Sequence, residues 1–459
     1  MVDMKITRGL DIPIKGKPTG NIKELTAEGR NYRPRLISLN LAPFEGIRFK
    51  LHAKDGDVVK IGQPLAEDKS VEGRMFASPA GGIVKEIRRG LKRRLLDIVI
   101  EIKGEEDIHQ WEPLNAVDAS REQITQRLME GGGFAYIRQR PFDLLANPHK
   151  TPRAIFVNAV SSAPFAVPYE MQLKGHEKAF KAGLEALTKL TDGKVHFVCS
   201  RFTDFKPFLE VSGVEKHTIE GPHPIGNSSV HIHHIDPIRS VDEVVWTANA
   251  LDVATIGYLI DEGKYLTDRI VSVAGPGVIP ERTGYFKART GFPIEGLIAN
   301  KIPQGSVRFI SGSVLTGSAV DPEDFLHFYD TSLSVIPESM SREFLHFFRL
   351  GIDKFTASGT YFSGHVKPGS RLYDFTTNLH GEERAFVIAT PYNHVMPLNI
   401  NTMLLVKAVM SEDYDSAEQL GLLEIAPEDF ALPTFVCPCK IEMVDIMKNG
   451  LRAYAQEVV

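Results

Sequence analysis

Residues 154–164 read AIFVNAVSSAP. The apolar run Ala154–Val160 has the length of one buried strand, and the loop that follows it holds no glycine. Outward from this stretch the chain alternates. Glu170–Leu190 has helical periodicity and Val195–Ser200 is a second buried strand; His217–Glu220 and Ser229–Ile235 read as further strands, and Asp242–Asp261 as another helix. Upstream, Ser120–Glu130 is expected to be helical, with Ser120 as N-cap and Gly131-Gly132-Gly133 as its end. Alternation of this kind predicts a Rossmann-like parallel sheet with covering helices over residues 111–264. A dinucleotide on such a sheet needs glycines after the first strand, so that backbone N–H groups can reach the pyrophosphate. The loop from Asn158 to Pro164 has none, and no GxxxxGK[ST] motif occurs anywhere.

The same region carries GPHPIGNSSVHIHHIDP at Gly221–Pro237. His217, His223, His231, His233 and His234 gather there, a third of the fifteen histidines in the chain. As a strand, Ser229–Ile235 would put His231 and His233 on one face and His234 on the other. Two readings stand. The imidazoles could ligate a metal, although no carboxylate or cysteine sits at ligand spacing, or they hydrogen-bond at a seam between domains. The second is the expectation, and no metal is assigned.

A length of 459 residues exceeds one hydrophobic core, so several domains are expected. A net charge of −5 argues against a nucleic-acid binder. Cys199, Cys437 and Cys439 give no disulfide framework, and three cysteines cannot fill a four-thiolate cluster site. No apolar run is long enough to span a bilayer. Arg88, Arg89, Lys92, Arg93 and Arg94 form a basic run beside the alternating strand Leu95–Ile102. It reads either as a solvated hairpin or as a contact for anionic headgroups or an acidic partner. The segment FAYIRQRPFD sets Arg138 and Arg140 between Phe134 and Phe142. These arginines read as surface ion-pair residues or as donors to an anionic or carbonyl group.

Several motifs carry resemblances. "GD-V--GQPLAE" followed by "SPAGGIV-EI", between Phe49 and Ile102, resembles the biotinyl/lipoyl barrel-sandwich fold. Lys69 lies near the carrier-lysine position, but the Met-Lys-Met context is missing, so no covalent group is expected. "DR-V-VAGPGV" from Asp268 and "ISGSVLTG" at Ile310–Gly317 resemble the soluble-ligand-binding β-grasp (SLBB) module. Read in order with "RPF", "GPHP-G", "VMPL" and "FVCP", these motifs resemble the A-subunit of the bacterial sodium-translocating NADH:quinone oxidoreductases, a relative of the Rnf-type C-subunit.

The resemblance implies a mixed α/β and β chain: barrel-sandwich over 1–110, Rossmann-like over 111–264, SLBB-like over 265–330, and a C-terminal region over 331–459 ending in a helix at Ile441–Tyr454. It implies a peripheral subunit on the cytoplasmic face of the bacterial inner membrane, held there by integral membrane partners. The subunit would take part in ubiquinone binding or reduction coupled to Na+ export, with no catalytic centre or bound cofactor of its own. NADH, flavins, iron and the Na+ path would belong to partner subunits, and ubiquinone would be the substrate. Phe134, Arg138, Arg140 and Phe142 fall near the family's quinone region, where a ring could stack on either phenylalanine while a guanidinium bonds a carbonyl. As an exposed loop, that segment should tolerate substitution without loss of stability. The competing reading is a docking subunit without a quinone site.

Overall fold

The computed structural model describes residues 2–27, 30–340, 344–345, 348–366 and 371–458. The chain opens with β1 (Asp3–Lys5) and then builds a barrel-sandwich from β2 (Leu36–Asn40), β3 (Pro64–Asp68), β4 (Gly82–Arg89) and β5 (Leu95–Glu101). β5 lies antiparallel between β2 and β4, and β3 is the centre of the facing three-stranded sheet. Ile37, Leu39, Leu65, Phe76 and Ile98 fill the space between the sheets. Lys69 is exposed in the turn after β3, beside the buried Asp68–Arg74 ion pair.

The basic run is largely open to solvent, with Arg89, Lys92, Arg93 and Arg94 exposed, and two of its arginines meet neighbours. Arg88 bonds Glu86 at 2.7 Å and lies 5.3 Å over the Phe325 ring; Arg94 stands 3.7 Å from Glu45.

Helix α1 (Arg121–Glu130) starts at Ser120, whose hydroxyl accepts from the Gln123 amide while the Gln123 side chain accepts from Ser120. This is a complete capping box. Seven strands then form one sheet: β6 (Arg138–Arg140), β7 (Ala154–Ala159), β8 (Lys194–Ser200), β9 (Glu215–Glu220) and β10 (Val245–Asn249), with β1 and Leu144–Leu145 at the edges. Their spatial order is β1-β9-β8-β7-β10-β6 followed by Leu144–Leu145. Strands β1, β9, β8, β7 and β10 run parallel, while β6 is antiparallel to β10.

The period of two along β7 sends Ile155 and Val157 to one face and Phe156 to the other. The first face packs under α2 (Glu177–Leu190), with Phe180 and Leu184 buried in the same core. The second is covered by α3 (Ser228–Ile235) and by the C-terminal helices, including Leu405, Leu422 and Met447. Helix α4 (Ala250–Gly257) crosses α2 at close range. A Cβ on Gly183 would stand 1.9 Å from the Val253 carbonyl oxygen, and one on Gly257 would stand 1.8 Å from that of Ala179. Gly183→Ala is therefore expected to push the helices apart at a cost of about 1–3 kcal/mol, read as a lower urea midpoint. An unchanged midpoint would show that the crossing is loose.

The third unit is a six-stranded sheet. In it β11 (Asp268–Ala274) lies between β12 (Gly284–Arg289) and β14 (Ser332–Pro337), and β13 (Val307–Ser311) lies beyond β14. Its far edge is Ile22–Lys23, parallel to β12. The chain ends in α5 (Met443–Val458), which buries Met443, Met447, Leu451 and Tyr454. No helix among the described residues is long and apolar enough to cross a membrane.

Three local expectations are corrected. Ser229–Ile235 is helix α3 and not a strand, because Asn227 and Ser228 supply a start signal and a parallel crossover must return from β9 to β10. Asp242–Asp261 is not one helix. The β-branched and aromatic run Val245–Asn249 forms the fifth parallel strand, and Asn249 then caps α4 through a box with Asp252. Glu170–Leu190 is broken at Gly175, whose φ is +92°, into Tyr169–Leu173 and α2.

Candidate functional site

Chain order reverses between β7 and β10: β8 and β9 extend the sheet on one side of β7, and β10 returns to the other. In open parallel sheets, a crevice forms beyond the carboxyl ends of the strands at such a point. Here it is a cavity of about 480 Å³, lined by Asn158, Ser161 and Ser162 beyond β7 and by Thr247, Ala248 and Asn249 at the end of β10. Arg138 and Arg140 of β6 enter it, along with His223, Asp252, Tyr329 and Glu428.

The two arginines differ. Arg138 Nη2 donates to Asp143 Oδ2 at 2.9 Å, and this carboxylate beside it holds the guanidinium charged against the desolvation of its site. The same pairing pulls Asp143 below its ordinary value, although its burial pushes the other way. Arg140 is 4 % exposed. Its Nη1 donates to Ser229 Oγ at 3.1 Å, Asp143 Oδ1 stands 3.5 Å from Nε, and Glu428 Oε1 stands 3.9 Å from Nη2. The Nε proton finds no hydrogen-bond acceptor among the described residues. A buried charged donor in this condition is costly unless something in the cavity accepts from it.

Neutral donors complete the wall. The Ser162 hydroxyl accepts the Gly226 amide at 2.8 Å and hydrogen-bonds with His223 Nδ1 at 2.9 Å. Burial brings His223 down to about 4, so the ring is neutral near pH 7. Burial also lifts Asp252 to about 6. The cavity can thus hold protons near neutrality as well as donate hydrogen bonds.

The segment at residues 134–142 is placed differently from its expected exposed loop. Phe134 is fully buried, edge-on to Trp246 at 5.7 Å between ring centres, and does not line the cavity. Phe142 is buried against Tyr454 at 5.8 Å. Arg138 and Arg140 form β6, paired with β10. The low stability cost expected for substitutions here is corrected accordingly: a strand paired on both sides is not a free loop. Sequence reading missed Ser162, Asp252, Tyr329 and Glu428, which reach the cavity from separate parts of the chain. Arg138, Arg140 and the GPHP stretch around His223 are the parts of the wall that stood out in the sequence.

The histidine stretch scatters along the seam with the C-terminal region. His231 Nε2 donates to the Ile225 carbonyl at 2.7 Å, and His233 Nδ1 donates to Glu424 at 2.5 Å. His217 turns instead to His196 on β8. Cys199 and Cys437 are buried, the latter 3.1 Å from the Tyr392 hydroxyl.

Family models describe each unit in turn. "NqrA N-terminal barrel-sandwich hybrid domain" matches residues 4–103, "NqrA second alpha/beta domain" matches 119–265, and an SLBB model, "NQRA C-terminal domain", matches 270–321. The three models describe the units of one modular subunit, and relatives name the complex it belongs to. The A-subunit of the Na(+)-translocating NADH-quinone reductase of Chlamydia caviae is 38% identical over 98% of this chain and 97% of its own. Its namesake from Cellvibrio japonicus is 36% identical over 99% and 100%, and that from Histophilus somni 38% over 98% and 99%. The chain belongs to the NqrA family, the A-subunits of the Na+-translocating NADH-quinone reductases, and it is one component of that translocase complex.

Proposed function

We propose that this subunit takes part in ubiquinone binding or reduction, with the quinone headgroup in the switch-point cavity, while electron delivery through flavins and iron, NADH oxidation and Na+ export belong to its partners. The observation that carries the reading is Arg140, a buried guanidinium at the cavity wall whose Nη2 stands 3.9 Å from Glu428, beyond hydrogen-bond distance, and would donate to an acceptor placed in the cavity. A quinone carbonyl is such an acceptor. A planar donor that stays charged also favours the extra electron density of the reduced ring. Asp252, poised at about 6, can supply protons that reduction consumes. The subunit would sit on the cytoplasmic face of the inner membrane, bound to integral partners.

A docking role has its own support. Met340, Phe344, Phe348, Val387 and Ile388 are each more than 60 % exposed. Apolar side chains left open in the C-terminal region are what a membrane-embedded partner would cover. The two roles are compatible, and binding separates them. A short-tailed ubiquinone titrated against the isolated chain, and then against the assembled complex, should saturate in both and be competed by the same excess of unlabelled quinone. Absence of saturable binding in either preparation leaves docking as the whole function.

A further inference from the structure

We propose that His196, His217 and Glu215 form a binding site for one late first-row divalent ion, zinc above all, at the β8–β9 pair. His196 and Glu215 are direct partners in the parallel ladder, and His217 is two residues beyond Glu215 on the same face. His196 Nδ1 lies 3.0 Å from His217 Nε2 and 3.5 Å from Glu215 Oε2. The three ligand atoms all fall within 4.8 Å of one another. Small rotations of the three side chains would bring an ion to about 2.0–2.2 Å from each.

The donor set selects the metal. Two imidazoles and one carboxylate suit zinc, cobalt or nickel, whereas calcium and magnesium require a shell of oxygens. The scaffold is rigid. The His196 ring stacks on Phe156 at 4.6 Å, and Lys194 holds Glu215 Oε1 at 2.5 Å, leaving Oε2 for the ion. Both imidazoles are buried while the Glu215 side chain is 39 % exposed, which gives an entry path and room for water as a fourth ligand.

Binding would have a structural consequence. The Val2 amide donates to His217 Nδ1 at 3.1 Å, so in the ion-free chain the His217 proton sits on Nε2 and points at His196. An ion on Nε2 displaces that proton to Nδ1, the imidazole stays neutral, and no net proton is released. Nδ1 can then no longer accept from Val2. Metal occupancy and the Val2 contact exclude one another, so the ion loosens the residue just before β1.

The test uses the full chain stripped of metal and titrated with Zn2+ against a chromophoric chelator. One ion per chain is expected, and Co2+ in its place should give the visible bands of a four-coordinate nitrogen and oxygen site. Glu215→Gln, a conservative change at a half-exposed position, should weaken binding about tenfold or more. His233→Gln, at the separate pair with Glu424, should leave it unchanged. Hydrogen exchange at Val2 should quicken when zinc is added to the parent chain and not to Glu215→Gln. Failure of the parent to bind stoichiometrically, or equal affinity in Glu215→Gln, overturns the site; in the second case the ion lies elsewhere.

Discussion

Arg140→Ala is expected to lower quinone reductase turnover of the assembled complex by about ten- to a hundredfold, while NADH oxidation by artificial acceptors is spared. The magnitude is that of one lost hydrogen bond from a charged donor, about 1.5–3 kcal/mol. The same change should destabilise the chain by about 1–3 kcal/mol, because buried Ser229 loses a charged hydrogen-bond partner while Asp143 keeps Arg138. Two losses from one substitution need separating. Arg140→Lys keeps the charge near both carboxylates and gives up the planar fork that presents Nη2. It should retain most of the stability and still lose quinone turnover. Parent-like turnover in Arg140→Lys would mean that the guanidinium does not serve the quinone.

Acid should unfold the chain over a narrow range. His223 and His231 lie at about 4 in the fold against 6.5 for a free imidazole, both through burial. A depressed histidine contributes stability that is fully present above pH 6.5 and is lost as pH falls from there through 4. Each is worth about 3 kcal/mol over that window, so the pair approaches the whole stability of an ordinary domain. His231 is the sharper case, because its Nδ1 is buried without a partner among the described residues and would have to take the proton there. His231→Gln, which can keep a donor toward the Ile225 carbonyl, should move the acid midpoint to lower pH. Urea midpoints measured from pH 8 to pH 4 test this. A flat profile across pH 6.5 to 4.5 would show that the imidazoles charge without unfolding the chain.

Much of the architecture is legible in local pattern. Ala154–Val160 and Val195–Ser200 are continuous apolar runs because parallel strands covered on both faces need no polar side. The missing glycine after Val157 excludes a phosphate cradle directly. Misreadings arose where two periods coincide. VHIHH alternates like a strand, yet Asn227-Ser228 starts a helix there. VVWTAN extends a helical pattern on paper, but its β-branched and aromatic residues and the vacancy beside β7 make it a strand. The cavity was half visible: Arg138 and Arg140 stand in the sequence, whereas Glu428 lies nearly three hundred residues away, joined to them only by the fold of α5 and its neighbours over the sheet.

The pairing of β1 with β9 sets a problem of timing. Asp3 meets Thr218, a partner 215 positions further along, and Ile22–Lys23 waits longer still for β12. During synthesis both segments leave the ribosome with nothing to pair with, and β9 later emerges with an open edge until β1 finds it. Early release of the leading residues to another chain would leave two sheets of this one unfinished. A nascent-chain intermediate stalled with β9 outside the ribosome should therefore protect its leading residues from proteolysis better than one stalled before β9, since only then does the oldest part of the polypeptide gain its partner, while β10 has still to fill the place between β7 and β6.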